Sequence, residues 1–211
     1  MSRNQRIAVD VWSDYVCPFC YLELPVLERL KREFGDRVDI RWRAFELRPE
    51  PAPTLSPQGK YLQDTWERLV YPMAKDRGMT LRLPPVQPRS RMAFEAALHA
   101  REVNAFDTMH AGLFRAFFEH GKDIGDMSTL LAIAATLEID AGPLQEALES
   151  GRHTQQVGED RAQAEELGMQ GVPFLIVRLD GQSCGEGLAL RGAVPYERLH
   201  AAVSSQSVAL H

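Results

Sequence analysis

Three features of this 211-residue sequence predict an α/β fold in which a βαβ unit and a ββα unit flank a large all-helical insertion. Near both ends, apolar residues alternate or gather in short β-branched runs, whereas through the middle they recur three and four residues apart. A proline cluster, Pro49, Pro51, Pro53 and Pro57, marks the first change of character. Cys17-Pro18-Phe19-Cys20 stands where the first strand pattern gives way to the first helix pattern.

The first strand is read from Ile7-Ala8-Val9-Asp10-Val11-Trp12, with its β-branched and aromatic content. A helix follows because Cys20, Leu24, Leu27, Leu30 and Phe34 share one face, and Gly35 supplies a stop. Val38 to Phe45 alternates apolar and polar, giving a half-buried second strand parallel to the first. The middle then reads as helices: Tyr61 to Arg77 with Leu62, Trp66, Leu69 and Met73 inward; a segment capped by Ser90 with Met92, Ala96, His99 and Val103; and one with Phe106, Met109, Leu113 and Phe117. Ser128 opens the next, Asp140 caps another, and a last runs from Thr154 to Leu167 with Gly168 ending it. The Met and Phe stripes read as core, and His99 and His110 as exposed or satisfied structural histidines. Val172 to Val177 is a strand, Asp180-Gly181 a hairpin turn, the stretch from Gln182 to Leu190 the returning strand, and Pro195 the start of a final helix. The expected domains are 1–52, 53–166 and 167–211, the first and last forming one body.

The motif's position carries chemistry. A helix start leaves backbone N–H groups unpaired and carries partial positive charge, so both stabilise a thiolate at Cys17. Pro18 fits the first helical position, where its missing N–H costs nothing. Cys20, one turn on, can attack a mixed disulfide formed at Cys17. The alternatives are inert packing and a structural zinc site; the latter wants four ligands, and neither Cys184 nor any histidine supplies a second pair at matching spacing. No metal and no cofactor are expected.

A net charge of −5 with both signs interspersed argues against nucleic-acid or anionic-membrane partners. Polar residues Met1 to Arg6 and the early Asp10 and Asp14 argue against a secretory leader, and no stretch approaches a membrane span, so a cytoplasmic address is expected. There a Cys-x-x-Cys is more often catalytic than structural. Cys184 is left as a free or intermolecular thiol, outside the reaction.

Ser13-Asp14-Tyr15-Val16-Cys17-Pro18-Phe19-Cys20-Tyr21-Leu22, Gly171-Val172-Pro173 and Gly192-Ala193-Val194-Pro195-Tyr196 together resemble the DsbA-like oxidoreductases over nearly the whole chain, most closely the cytoplasmic FrnE-like group. The resemblance implies a thioredoxin fold with a helical insertion. It also implies a cis Val172–Pro173 bond beside the cysteines and thiol–disulfide exchange with protein or small-molecule disulfides, glutathione among the candidates. Catalysis falls to Cys17 as nucleophile and Cys20 as resolving thiol. Pro18, Phe19, Val172, Pro173 and Trp12 would border the substrate, with the Val172 N–H and C=O free to pair with an extended segment.

Two departures stand out. The buried acid common six residues before the first cysteine is Val11 here, with Asp14 either replacing it or merely forming a turn. Phe19 stands where DsbA has histidine. Glutathione-dependent isomerases of the hydroxychromene-carboxylate type and kappa-class transferases share the insertion but usually place serine at the first motif position. They remain an alternative, as does a redox-regulated binding module or chaperone.

Overall fold

In the computed structural model, which describes residues 6–208, the chain divides into two compact units, Met1–Phe45 with Asp160–His211, and Glu46–Glu159. The first unit opens with β1 (Ile7–Ser13), α1 (Pro18–Phe34) and β2 (Val38–Ala44). The second holds α2 (Lys60–Thr65), α3 (Tyr71–Asp76), α4 (Arg91–Glu102), α5 (Phe106–Phe118), α6 (Met127–Thr136) and α7 (Ala141–Glu149). A further helix, α8 (Thr154–Glu166), begins in the second unit and ends in the first. The first unit is completed by β3 (Phe174–Leu179), β4 (Leu188–Arg191) and α9 (Tyr196–Val208). The units divide at 45/46 and 159/160, seven residues before the boundaries read from composition, because Asp160 is already tied to β1 and β2. Among the described residues no helix is long and apolar enough to cross a membrane.

The four strands form one sheet in the order β2-β1-β3-β4, which is the thioredoxin-like fold with its helical insertion. β1 runs parallel to β2, with Ile7 opposite Val38 and Ser13 opposite Ala44. It runs antiparallel to β3, with Trp12 opposite Phe174, and β4 closes antiparallel on β3. One face buries Ile7, Val9, Val11, Leu175 and Val177 against Leu27, Leu30 and Phe34 of α1 and Leu199 and Val203 of α9. Each fully buried leucine contributes about 1.5–3 kcal/mol. The opposite face packs Trp12, Phe174 and Ile176 on Phe45, Ala164 and Met169.

A charged cluster shares the sheet face of Trp12 and Ile176. Asp10, fully buried on β1, pairs with Arg178 of β3 at 2.8 Å and Arg43 of β2 at 3.3 Å. Arg43 reaches on to Asp160 at 3.3 Å, and Asp160 also accepts the Ala44 N–H, while its carbonyl takes the Trp12 indole N–H. A single carboxylate thus links three strands.

Several local expectations shift. The segment from Lys60 to Asp76 is helical, but Trp66–Val70 forms a wide π turn. The buried residues are Leu62, Trp66, Val70 and Ala74, while Leu69 is exposed. A four-residue repeat drifts about 40° per step on a regular helix at 100° per residue; the wider turn absorbs part of that drift and keeps one face inward. Ser90 precedes α4 without a side-chain cap, and Val103 is exposed. α6 begins at Met127, one residue before Ser128, and Asp126 caps it, its carboxylate accepting the Thr129 N–H. Asp140 caps α7 as expected. After Gly181 the chain makes a short 3₁₀ turn, Cys184–Glu186, so the returning strand is only Leu188–Arg191. A side chain at Gly187 would meet Ile176 Cγ2 at 2.4 Å, so glycine is required where the turn crosses β3.

Replacing Asp10 with Asn leaves the nearly buried Arg178 guanidinium without its counter-charge. Chemical denaturation should show a loss of about 3–5 kcal/mol; a loss below about 1 kcal/mol would remove the charged cluster from the account of stability.

Candidate active site

Cys17 occupies the N-cap position of α1 with an extended backbone, Pro18 fills the first helical position, and the Cys17 carbonyl accepts the Cys20 and Tyr21 N–H groups. The approach is a tight turn in which the Cys17 N–H reaches Asp14 O at 3.1 Å. A residue at this position usually points its side chain at the free amides of the helix start. Cys17 makes no such cap; its thiol instead donates to the Val172 carbonyl at 3.4 Å. Both motif cysteines are free thiols.

Both cysteines are buried, Cys17 at 4% exposure and Cys20 completely. Burial pushes the Cys20 thiol well above its ordinary pKa, and the neighbouring Cys17 adds to this. The Asp14 N–H, 3.5 Å from Cys20 Sγ, and the Ser13 hydroxyl partly offset the effect.

The Val172–Pro173 bond is cis. Its surroundings correct one expectation: the Val172 carbonyl is engaged by the Cys17 thiol, and only the Val172 N–H is without a partner among the described residues. Pro173 O accepts the Gly192 N–H at 2.8 Å, Gly192 taking a positive φ of 74° to present it. Two residues on, the Val194 N–H donates to Glu23 of α1 at 3.0 Å. Helix, loop and cysteine are thereby joined in a closed circuit.

Of the residues expected around the sulfur, Val172 meets Cys17 directly, Pro173 follows it in the chain, and Pro18 and Phe19 are half-buried at the start of α1. Trp12 forms no exposed lip: it is fully buried, its indole N–H donating to the Asp160 carbonyl, in the cluster against which Val172 packs. Asp14 acts as a turn former, its carboxylate accepting the Val16 N–H at 3.3 Å. Cys184 packs against the Trp12 cluster with Sγ 3.9 Å from Asp10, and burial together with that charge raises its pKa.

Two residues escaped the sequence reading. Glu23 is a fully buried carboxyl one turn beyond Cys20, and its partner lies 171 residues away. Arg191, opposite Phe174 in the β3–β4 pair, borders a cavity of about 370 Å³ lined also by Gly171, Val172, Pro173 and Gly192. Its guanidinium is exposed and stands over the Phe174 ring. The strand-end position beside Gly192 was the available signal.

Comparison with known proteins bears on this site. The uncharacterized protein YwbO of Bacillus subtilis (strain 168) is 34% identical over 147 residues, covering 68% of this chain and 72% of its own. The crystal structure of a probable DsbA oxidoreductase from Streptomyces coelicolor superposes with a TM-score of 0.80 at 22% identity, covering 96% of this chain and 91% of that one. The cytosolic disulfide reductase DsbM of Pseudomonas aeruginosa, also solved with glutathione, gives 0.67 at 18% identity, with 96% of each chain covered. The family model of the DSBA-like thioredoxin domain matches residues 8–204, and the chain belongs to that family.

Proposed function

We propose that this protein is a cytoplasmic thiol–disulfide oxidoreductase that exchanges its Cys17/Cys20 pair with protein or small-molecule disulfides, glutathione disulfide among them. The carrying observation is the asymmetry of the pair: Cys17 at the helix start against the Val172 carbonyl, Cys20 fully buried behind it as a protonated thiol.

In the reducing direction, the Cys17 thiolate attacks one sulfur of the substrate disulfide and expels the other as a thiolate. Cys20, on losing its proton, attacks Cys17 Sγ. The second substrate thiol leaves and a Cys17–Cys20 disulfide remains: two electrons pass to the substrate, which gains two protons. The oxidising direction is the reverse. The Val172 N–H offers an extended segment a backbone partner beside the sulfur. Arg191 offers a cation to a substrate carboxylate at the cavity rim.

Cys20→Ser should accumulate a mixed disulfide with substrate, and Cys17→Ser should form none, as read by mass spectrometry after reaction with glutathione disulfide. An adduct on the Cys17→Ser variant instead would reverse the two roles. Phe19 gives the sulfur neither charge nor donor, and burial disfavours ionisation of Cys20. The equilibrium potential in glutathione buffers should therefore lie nearer thioredoxin's, about −270 mV, than DsbA's, about −120 mV. A value at the DsbA end would show that the dithiol form is stabilised by something other than these groups. Arg191→Glu should slow reaction with glutathione disulfide by about tenfold, the scale of reversing one partly exposed charge contact, and leave a neutral aromatic disulfide unaffected. Equal rates for the wild type and Arg191→Glu with glutathione disulfide would place carboxylate recognition elsewhere.

A further inference from the structure

Away from the dithiol, in the helical unit, two buried histidines and a carboxylate converge. His99 and Glu102 lie one turn apart at the end of α4, so they share a face. His153 sits in the turn between α7 and α8, where Gly151 takes a φ of +60°. Glu102 Oε2 is 3.8 Å from His99 Nδ1, and Glu102 Oε1 is 3.8 Å from His153 Nε2. One ligand atom from each of the three falls within 4.8 Å of the others.

Those separations are too long for hydrogen bonds. His99 is 3% exposed and His153 9%, yet neither His99 Nδ1 nor His153 Nε2 has a hydrogen-bond partner among the described residues. Buried polar nitrogens left in that state are uncommon and call for a ligand or an ion. The surrounding backbone is held. Thr154 donates its hydroxyl to Glu95 of α4 at 2.6 Å, and Arg91 of α4 donates to Thr154 O at 3.4 Å, so the His153 turn is tied to the helix carrying His99. The side chain of Glu102 is 49% exposed. Arg152, half-exposed, stands beside the set, with Nη1 3.5 Å from Glu102 Oε2.

We propose that His99, Glu102 and His153 form a binding site for one divalent transition-metal ion of the zinc class, with the remaining coordination position open to water on the Glu102 side. Two imidazoles and a carboxylate suit zinc, cobalt or nickel; calcium and magnesium prefer sites built of oxygen. Metal–ligand bonds of about 2.1 Å at the tetrahedral angle put ligand atoms about 3.4 Å apart. Movement of between a few tenths of an ångström and somewhat over one ångström closes the set. Arg152 neutralises Glu102 in the metal-free protein and is displaced by the ion. The bound metal would join residues 99 and 153 across the end of α4.

The test uses the full chain with Cys17 and Cys20 oxidised to their disulfide, so that these sulfurs cannot bind metal, titrated with Co²⁺ by visible absorption and with Zn²⁺ by calorimetry. One equivalent should bind, with the d–d bands of a four- or five-coordinate cobalt, no thiolate charge-transfer band, and displacement by Zn²⁺. Glu102→Gln and His153→Ala should each weaken binding at least about tenfold, since even indirect partners of ligands are worth that much. Arg152→Ala should tighten it, and His120→Ala, at an exposed histidine in the same unit, should change nothing. Saturating Zn²⁺ should raise the melting temperature of the wild type and not of Glu102→Gln. Absence of saturable binding, a thiolate band, or wild-type affinity in both ligand variants would overturn the site. Should His153→Ala fail to fold in a chelator control, Glu102→Gln, at a half-exposed position, decides alone.

Discussion

The Val172 carbonyl stays within hydrogen-bond reach of the Cys17 sulfur because the segment that carries it is held from both ends of a closed circuit. On one side the cysteine is fixed by the first turn of α1. On the other, Glu23 of the same helix holds Val194, and Gly192 holds Pro173. A loop anchored at a single point would spend most of its time elsewhere, since each unfixed residue gains about 1–2 kcal/mol of backbone entropy. Here the anchoring groups are a buried carboxylate and one backbone pair. The chemistry at the sulfur thus depends on contacts that never touch it.

Beneath that circuit the sheet is held by charge as well as by apolar packing. Asp10, Arg178, Arg43 and Asp160 join β1, β2, β3 and the middle of α8. Such a cluster stabilises less than a hydrophobic one of equal volume, but it is directional: a strand slipped by one residue would leave a buried charge unpaired. The register that sets β1, and with it the start of α1 and Cys17, is therefore specified electrostatically.

Much of this was legible in the sequence, and the pattern of misses has a physical cause. β1, α1 and the position of Cys17 between them follow from short-range signals: β-branched content, a three-and-four repeat, Pro18 at a helix start. The helical insertion followed from periodicity, and failed at Leu69 only because a π turn changes the repeat itself. Trp12, Glu23 and the two buried histidines were different. Whether an aromatic faces a groove or the interior, and whether a carboxyl on an otherwise apolar helix is solvated or buried, depends on partners 50 to 170 residues away. Asp10 illustrates the limit: within the strand it reads as an interruption, and only β2 and β3 show it to be the centre.

The Val172 carbonyl can accept from one strong donor along the direction facing the sulfur, and in the dithiol protein that donor is the Cys17 S–H. An incoming extended segment that sought the same acceptor would have to evict a proton already sitting there. Once Cys17 is ionised, or bonded to another sulfur, the occupant is gone and the carbonyl is vacant. Access to this acceptor is in this way tied to the state of a side chain: the same atom that closes the reduced site opens it during exchange.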